Sequence, residues 1–156
     1  MKVSRRKGRL RLQLDRVEVA LLSRLLDDLD EVLSGDSSEP DTVLARLYPA
    51  AYRDDADAEA EFRTLTEAGL RSDRADRIEA CRAELAQGGA IDLPDPDAGQ
   101  RWIKVLNDLR LAAGTRLGIT EDDQPDFDPD DPAQGPRVAY YWLTAVQDAL
   151  VRALMR

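Results

Sequence analysis

The sequence predicts an α+β fold, mostly α, in which a short N-terminal β-hairpin packs on a bundle of about five helices. Three observations predict it. Residues 9–14 alternate Leu10, Leu12 and Leu14 with Arg9, Arg11 and Gln13, which is the period of a strand with one apolar face. Apolar residues from Val17 to Leu33 recur at helical spacing instead. Trp102–Gly118 and Tyr140–Leu154 are apolar over most of their helical surface, as central helices of a small domain are.

Taken in order, Lys2–Arg5 and Arg9–Leu14 flank Lys7-Gly8, where a tight turn closes the hairpin. Asp15 then fits a helix N-cap, and Glu18 three residues on completes a capping box. This first helix stops at Gly35, and a polar loop, Asp36–Pro40, follows. Asp41 can cap a short helix over Thr42–Tyr48, which Pro49 ends.

Ala56–Ala86 is helix-forming and rich in charge. Phe62, Leu65, Leu70, Ile78, Cys81 and Leu85 supply a thin apolar stripe, and Gly69 leaves open one long helix or two in sequence. Gly88-Gly89 ends this region, and Ala90–Leu93 has the makings of a short strand. A helix from about Asp97 to Leu117 comes next. A final helix runs from Arg137 to about Met155. Length and composition fit a single domain over 1–156: basic hairpin 1–14, helical region 15–118, acidic proline-rich loop 120–136 and C-terminal core helix 137–155.

Charge is unevenly placed. Of 22 basic and 31 acidic side chains, seven basic and one acidic fall in residues 1–16, so the head carries +6 and the body −15. There is no histidine, which excludes the Ser-His-Asp triad and the usual zinc-hydrolase ligands. One cysteine excludes an internal disulfide and fits a reducing, cytoplasmic setting. No signal peptide or membrane span is expected: charges interrupt Leu21–Leu33, and Gln147, Asp148 and Arg152 interrupt the last helix.

The candidate sites follow from these features. Asp126-x-Asp128-x-Asp130 has the opening of a calcium loop. However, Asp131 stands where that loop turns on glycine, and Arg137 stands where it needs a bidentate glutamate, so no metal site is expected. Cys81 has Arg77 one turn earlier and Arg82 beside it, which would favour a redox-active thiolate. Ile78 and Leu85 share its face and favour packing. Arg110 projects into an apolar arc near Leu106 and needs an acceptor, for which Asp148 in the last helix is the natural choice. With Asn107, Asp108, Thr115, Arg116 and Gln147 they form an expected interhelical polar network, either a register-fixing contact or a small-molecule pocket. Gly114, on the face of Ile103 and Asn107, allows a neighbouring helix to come close. Arg5, Arg6, Lys7, Arg9 and Arg11 are the candidate contact to nucleic acid or to a partner. A basic ribbon can enter a major groove, while the acidic body opposes a polyanion and offers the hairpin a surface for self-neutralisation.

The basic start, LARLYPAAYRDD at Leu44–Asp55, EFRTLTE at Glu61–Glu67, LNDLRLAAGTRLG and the closing YYWLTAVQDALVRAL together resemble an actinomycete family of a domain of unknown function. That family includes the AosR-type oxidative-stress transcriptional regulators. The resemblance covers nearly the whole chain and carries no catalytic signature. It implies a cytoplasmic, non-enzymatic regulatory protein acting through partners at transcription, with a sigma factor, the transcription machinery or, weakly, DNA. No cofactor is implied, and a homodimer is compatible with the sequence. An adaptor unrelated to transcription, or a small-molecule-binding domain using the interhelical polar pocket, is the alternative.

Overall fold

The computed structural model describes residues 1–155 apart from 7–8, 36–40, 121, 124, 127 and 129; the side chains of Arg6 and Asp41 also lie outside the description. The turn expected at Lys7-Gly8, the loop Asp36–Pro40 and the Asp41 cap fall on those residues. The order of elements is β1 (Lys2–Arg6), β2 (Arg9–Gln13), α1 (Arg16–Ser34), α2 (Asp41–Leu47), α3 (Ala56–Ala86), β3 (Ala90–Leu93), α4 (Pro96–Leu117) and α5 (Gly135–Leu154). A single 3-10 turn, Pro132–Gln134, leads into α5. The fold class is therefore the expected one, α+β and mostly α.

The hairpin is the edge of a larger sheet. β3 pairs antiparallel with β2, giving three strands in the order β1-β2-β3. The register sets Leu10 opposite Leu93 and Leu12 opposite Ile91. All four are buried, so the strand alternation read from Leu10, Leu12 and Leu14 continues across the sheet.

α1 begins as the sequence dictates. The Asp15 carboxylate accepts from the Val17 and Glu18 amides, and Glu18 accepts from the Asp15 amide. Gly35 closes the helix in the left-handed region at φ 79°. Leu22, Leu26 and Leu29 form its buried stripe.

The two apolar helices lie at the centre. Trp102, Leu106 and Leu109 of α4 meet Leu143, Val146 and Leu150 of α5, all within 3% of full burial. Glycine permits the approach at both ends. A Cβ on Gly114 would sit 3.1 Å from the Tyr140 ring, and one on Gly99 would sit 3.0 Å from Leu154. Each tryptophan finds an acceptor for its indole N–H: Trp102 donates to Glu84 at 2.6 Å and Trp142 to Glu18 at 3.0 Å.

α3 is one continuous helix of 31 residues. Only Ile78, Cys81 and Leu85 in its second half are buried. The expected stripe thus divides, because Phe62, Leu65 and Leu70 stand in solvent. At 100° per residue, Ile78 points roughly 160° away from Phe62, so one straight helix cannot bury both against the same neighbours.

Candidate functional site

The basic hairpin is partly neutralised by its own sheet. The register places Arg11 directly opposite Asp92, and the two close a bidentate pair at 2.6 and 2.9 Å. The hydrogen bonds from Arg11 hold the Asp92 carboxyl below the usual carboxylate range. Arg5 reaches the Ala153 carbonyl at the end of α5, at 3.4 Å. Arg9 is exposed. The Arg6 side chain and Lys7 lie outside the described residues.

Arg110 does cross from α4 to α5, but not to an acid. Its Nε donates to Thr144 Oγ1 at 2.9 Å and its Nη1 to Gln147 Oε1 at 2.6 Å. Its guanidinium also lies over the Tyr140 ring, 5.7 Å from the centroid. Gln147 in turn donates to the Ile103 carbonyl at 3.4 Å. The expected partner, Asp148, instead pairs with Arg152 one turn on, at 2.6 Å, in solvent. Asp148 projects only about 40° from Thr144 and so lies on the same side of α5; its carboxylate is taken instead by Arg152 of its own helix. Arg110, Thr144, Gln147 and Asp148 line an open groove of about 560 Å³.

The rest of the expected polar set disperses. Thr115 bonds back to the Leu111 carbonyl of its own helix, 2.8 Å. Asn107 is half-buried, and Arg116 lines a different cleft, of about 440 Å³, between α1, α4 and α5. Asp108 turns the other way, to α3. Its carboxylate receives Arg74 Nε at 2.9 Å and Nη2 at 3.2 Å. Arg74 also covers the ring of Tyr48, beside α2, at 4.5 Å.

Cys81 is fully buried. Burial, reinforced by the Glu84 carboxylate, pushes its thiol up to about 12; Arg101 and Arg77 pull the other way and do not prevail. Arg82, adjacent in sequence, points to Asp27, Asp30 and Glu79. Of the two readings of Cys81, packing accords with this burial, where desolvation outweighs the neighbouring cations.

In the acidic loop, Asp128 accepts from the Asp130 amide, and its own amide donates to Gln134. Asp123 caps Thr120. Among the described residues no group of three or more Asp, Glu, Cys or His is placed to hold a metal ion. Also among them, no helix is long and apolar enough to cross a membrane.

One surface lay outside the sequence-based candidates. The first half of α3 carries Phe62, Leu65 and Leu70, with Leu65 77% exposed. Glu59 anchors this end of the helix. It accepts from the amides of Ala51 and Tyr52 and from Arg63, which draws the Tyr52 ring edge-on to Phe62 at 5.9 Å. Those amide hydrogen bonds and Arg63 hold the Glu59 carboxyl below its usual range. Spacing could have found this surface, since Phe62 and Leu65 do not project with Ile78, Cys81 and Leu85.

A family model described as a domain of unknown function (DUF2017) matches residues 1–154. The oxidative stress regulators AosR of Mycobacterium bovis and Mycobacterium tuberculosis are 32% identical over 145 residues, covering 83% of this chain and 66% of theirs. The putative oxidative stress regulator AosR of Mycobacterium leprae is 31% identical over 147 residues, covering 83% of this chain and 68% of its own. The chain thus spans just under two thirds of the first relatives it matches. No solved structure matches it.

Proposed function

The chain belongs to the DUF2017 family, and from that premise we propose that it is a non-enzymatic regulatory protein, associated with transcription and acting mainly through protein partners. The observation that carries the reading is the first half of α3, whose apolar side chains stand in solvent. Apolar side chains left in solvent on one element are a means by which soluble proteins meet other proteins. The relatives' name, oxidative stress regulator, supports a regulatory role in that response.

Two features narrow it. A buried thiol whose pKa is pushed up to about 12 is a poor peroxide sensor, so the oxidative signal reaches this chain through something other than Cys81. Arg11 is already bound to Asp92, which leaves the hairpin fewer free cations for phosphate and supports a protein-directed role in a cytoplasmic setting.

A second reading rests on the groove beside Arg110, where a guanidinium, Thr144 and Gln147 converge on a space of about 560 Å³. That groove would suit a small polar ligand. Capture from native extract, with the full chain as bait, separates the readings. RNA polymerase or a sigma factor among specifically retained proteins supports the proposal. Retention only of proteins unconnected with transcription points to an adaptor. No retained protein, together with a co-purified metabolite lost on Gln147→Ala, supports the groove.

A further inference from the structure

Resting on that protein-directed reading, we propose that the outward face of the first half of α3 docks a basic amphipathic helix of a partner protein. Phe62, Leu65, Gly69 and Ser72 follow one another at intervals of 3, 4 and 3 residues. That is the spacing of a coiled-coil seam, here on an exposed helix face where the Tyr52 ring meets Phe62 edge-on. All four are exposed. Phe62 and Leu65 supply the apolar anchors, and the small Gly69 and Ser72 keep the rest of the seam low. A Cβ built on Gly69 meets nothing within 4 Å, so the middle of the seam is open and lets another helix come close.

Charge selects the occupant. Asp57 and Glu61 on this half of the helix, and Asp73 and Asp76 just past its middle, are exposed, and among the described residues none of them makes an ion pair. The arginines of the same stretch are already matched within the fold: Arg63 with Glu59, Arg71 with Glu67 and Arg74 with Asp108. What remains is a short apolar strip beside uncompensated carboxylates. A helix with apolar residues at heptad spacing and Lys or Arg beside them complements both features; an acidic helix complements only the strip.

The test titrates the full chain against a fluorescent 18-residue Leu/Lys peptide with leucine at heptad a and d positions. A Leu/Glu peptide of the same pattern serves as the comparison. The Leu/Lys peptide should bind with micromolar affinity, weaken as salt is raised, and bind at least ~10-fold more tightly than the Leu/Glu peptide. Gly69→Arg and Leu65→Glu should each lose ~10-fold or more, while Gln100→Ala on α4 loses nothing. Gly69→Arg places a better helix former at an open position, so its melting temperature should not fall, and lost binding cannot then be read as lost folding. Equal binding by wild type and Gly69→Arg, or preference for the Leu/Glu peptide, would overturn the proposal. So would a dimer seen by sedimentation that Gly69→Arg abolishes, because the occupant would then be a second copy. Capture from native extract separates this failure from failure of the broader reading. If Gly69→Arg retains the same proteins as wild type, the surface is wrong and the protein-directed role stands. If wild type retains none, the role itself is wrong.

Discussion

Arg74 of α3 grips Asp108 of α4 with two hydrogen bonds, a polar tie between the helices beside the buried Ile78, Cys81 and Leu85. Asp108 is the one buried charged residue among those described, 5% exposed. Arg74 lies against the Tyr48 ring on its other side, so a single guanidinium joins α3, α4 and the end of α2.

Removing one partner should therefore cost more than removing both. Arg74→Ala leaves a buried carboxylate uncompensated and should lower stability by about 3 kcal/mol in urea denaturation. The double change Arg74→Met with Asp108→Leu should recover most of that loss, to within about 1 kcal/mol of wild type. A double variant as unstable as Arg74→Ala would show that the pair contributes more than desolvation withholds.

The Arg110 contacts predict a contrast within α5. Arg110→Ala removes two hydrogen bonds to neutral, partly buried partners and should cost about 1–2 kcal/mol. Asp148→Asn breaks only an exposed pair one helical turn apart and should change stability by less than about 0.5 kcal/mol. Parallel urea curves decide it. A larger loss for Asp148→Asn would restore Asp148 as the buried partner of Arg110.

These pairs also mark how far the sequence alone reaches. Local signals were legible: the Leu10–Leu14 alternation, the Asp15/Glu18 capping box and the two apolar helices each follow from spacing within a few residues. The third strand was readable only as a segment, because AIDL names no neighbour until the chain brings β3 to β2 across most of the helical region. The acceptor for Arg110 was sought among acids. Two neutral side chains of α5, Thr144 and Gln147, serve instead, while Asp148 is held by Arg152 on its own helix. Arg74 projects between Ile78 and Cys81 at 100° per residue, so its place in the buried arc was available from α3 itself. Its partner, 34 residues on, was not.

Cys81 should be inert in the native state. Its thiol moves from 9.0 to about 12, so a thiol reagent at pH 8 should label it only after denaturant is added. The sign of the pH effect follows. A folded-state pKa raised above the unfolded value gives stability that is fully present below pH 9. That stability is lost as the pH rises through 9 toward 12, because the unfolded thiol ionises first. Fast labelling of the native protein, or a loss that Cys81→Ala leaves unchanged across that window, would contradict this.

DNA binding should be weak and steeply salt-dependent. The +6 head can meet a few phosphates, Arg11 is engaged with Asp92, and the −15 body opposes approach. Titration of duplex DNA at two salt concentrations should show little binding near about 0.15 M, and none when Arg5, Arg6, Lys7, Arg9 and Arg11 are all alanine. Sequence-specific binding at that salt concentration would make the hairpin a reader of DNA.

The claim that this chain works through proteins, and through α3, is tested most directly by site-specific photocrosslinking in living cells. A photoreactive residue replaces Leu65 in one variant and Arg9 in another, and adducts are identified by mass spectrometry. The account predicts a discrete protein adduct from position 65, mapped to a basic amphipathic helix of the partner and lost when Gly69→Arg is added. From position 9 it predicts no comparable adduct. Adducts from position 9 to DNA or protein with none from position 65 would contradict it.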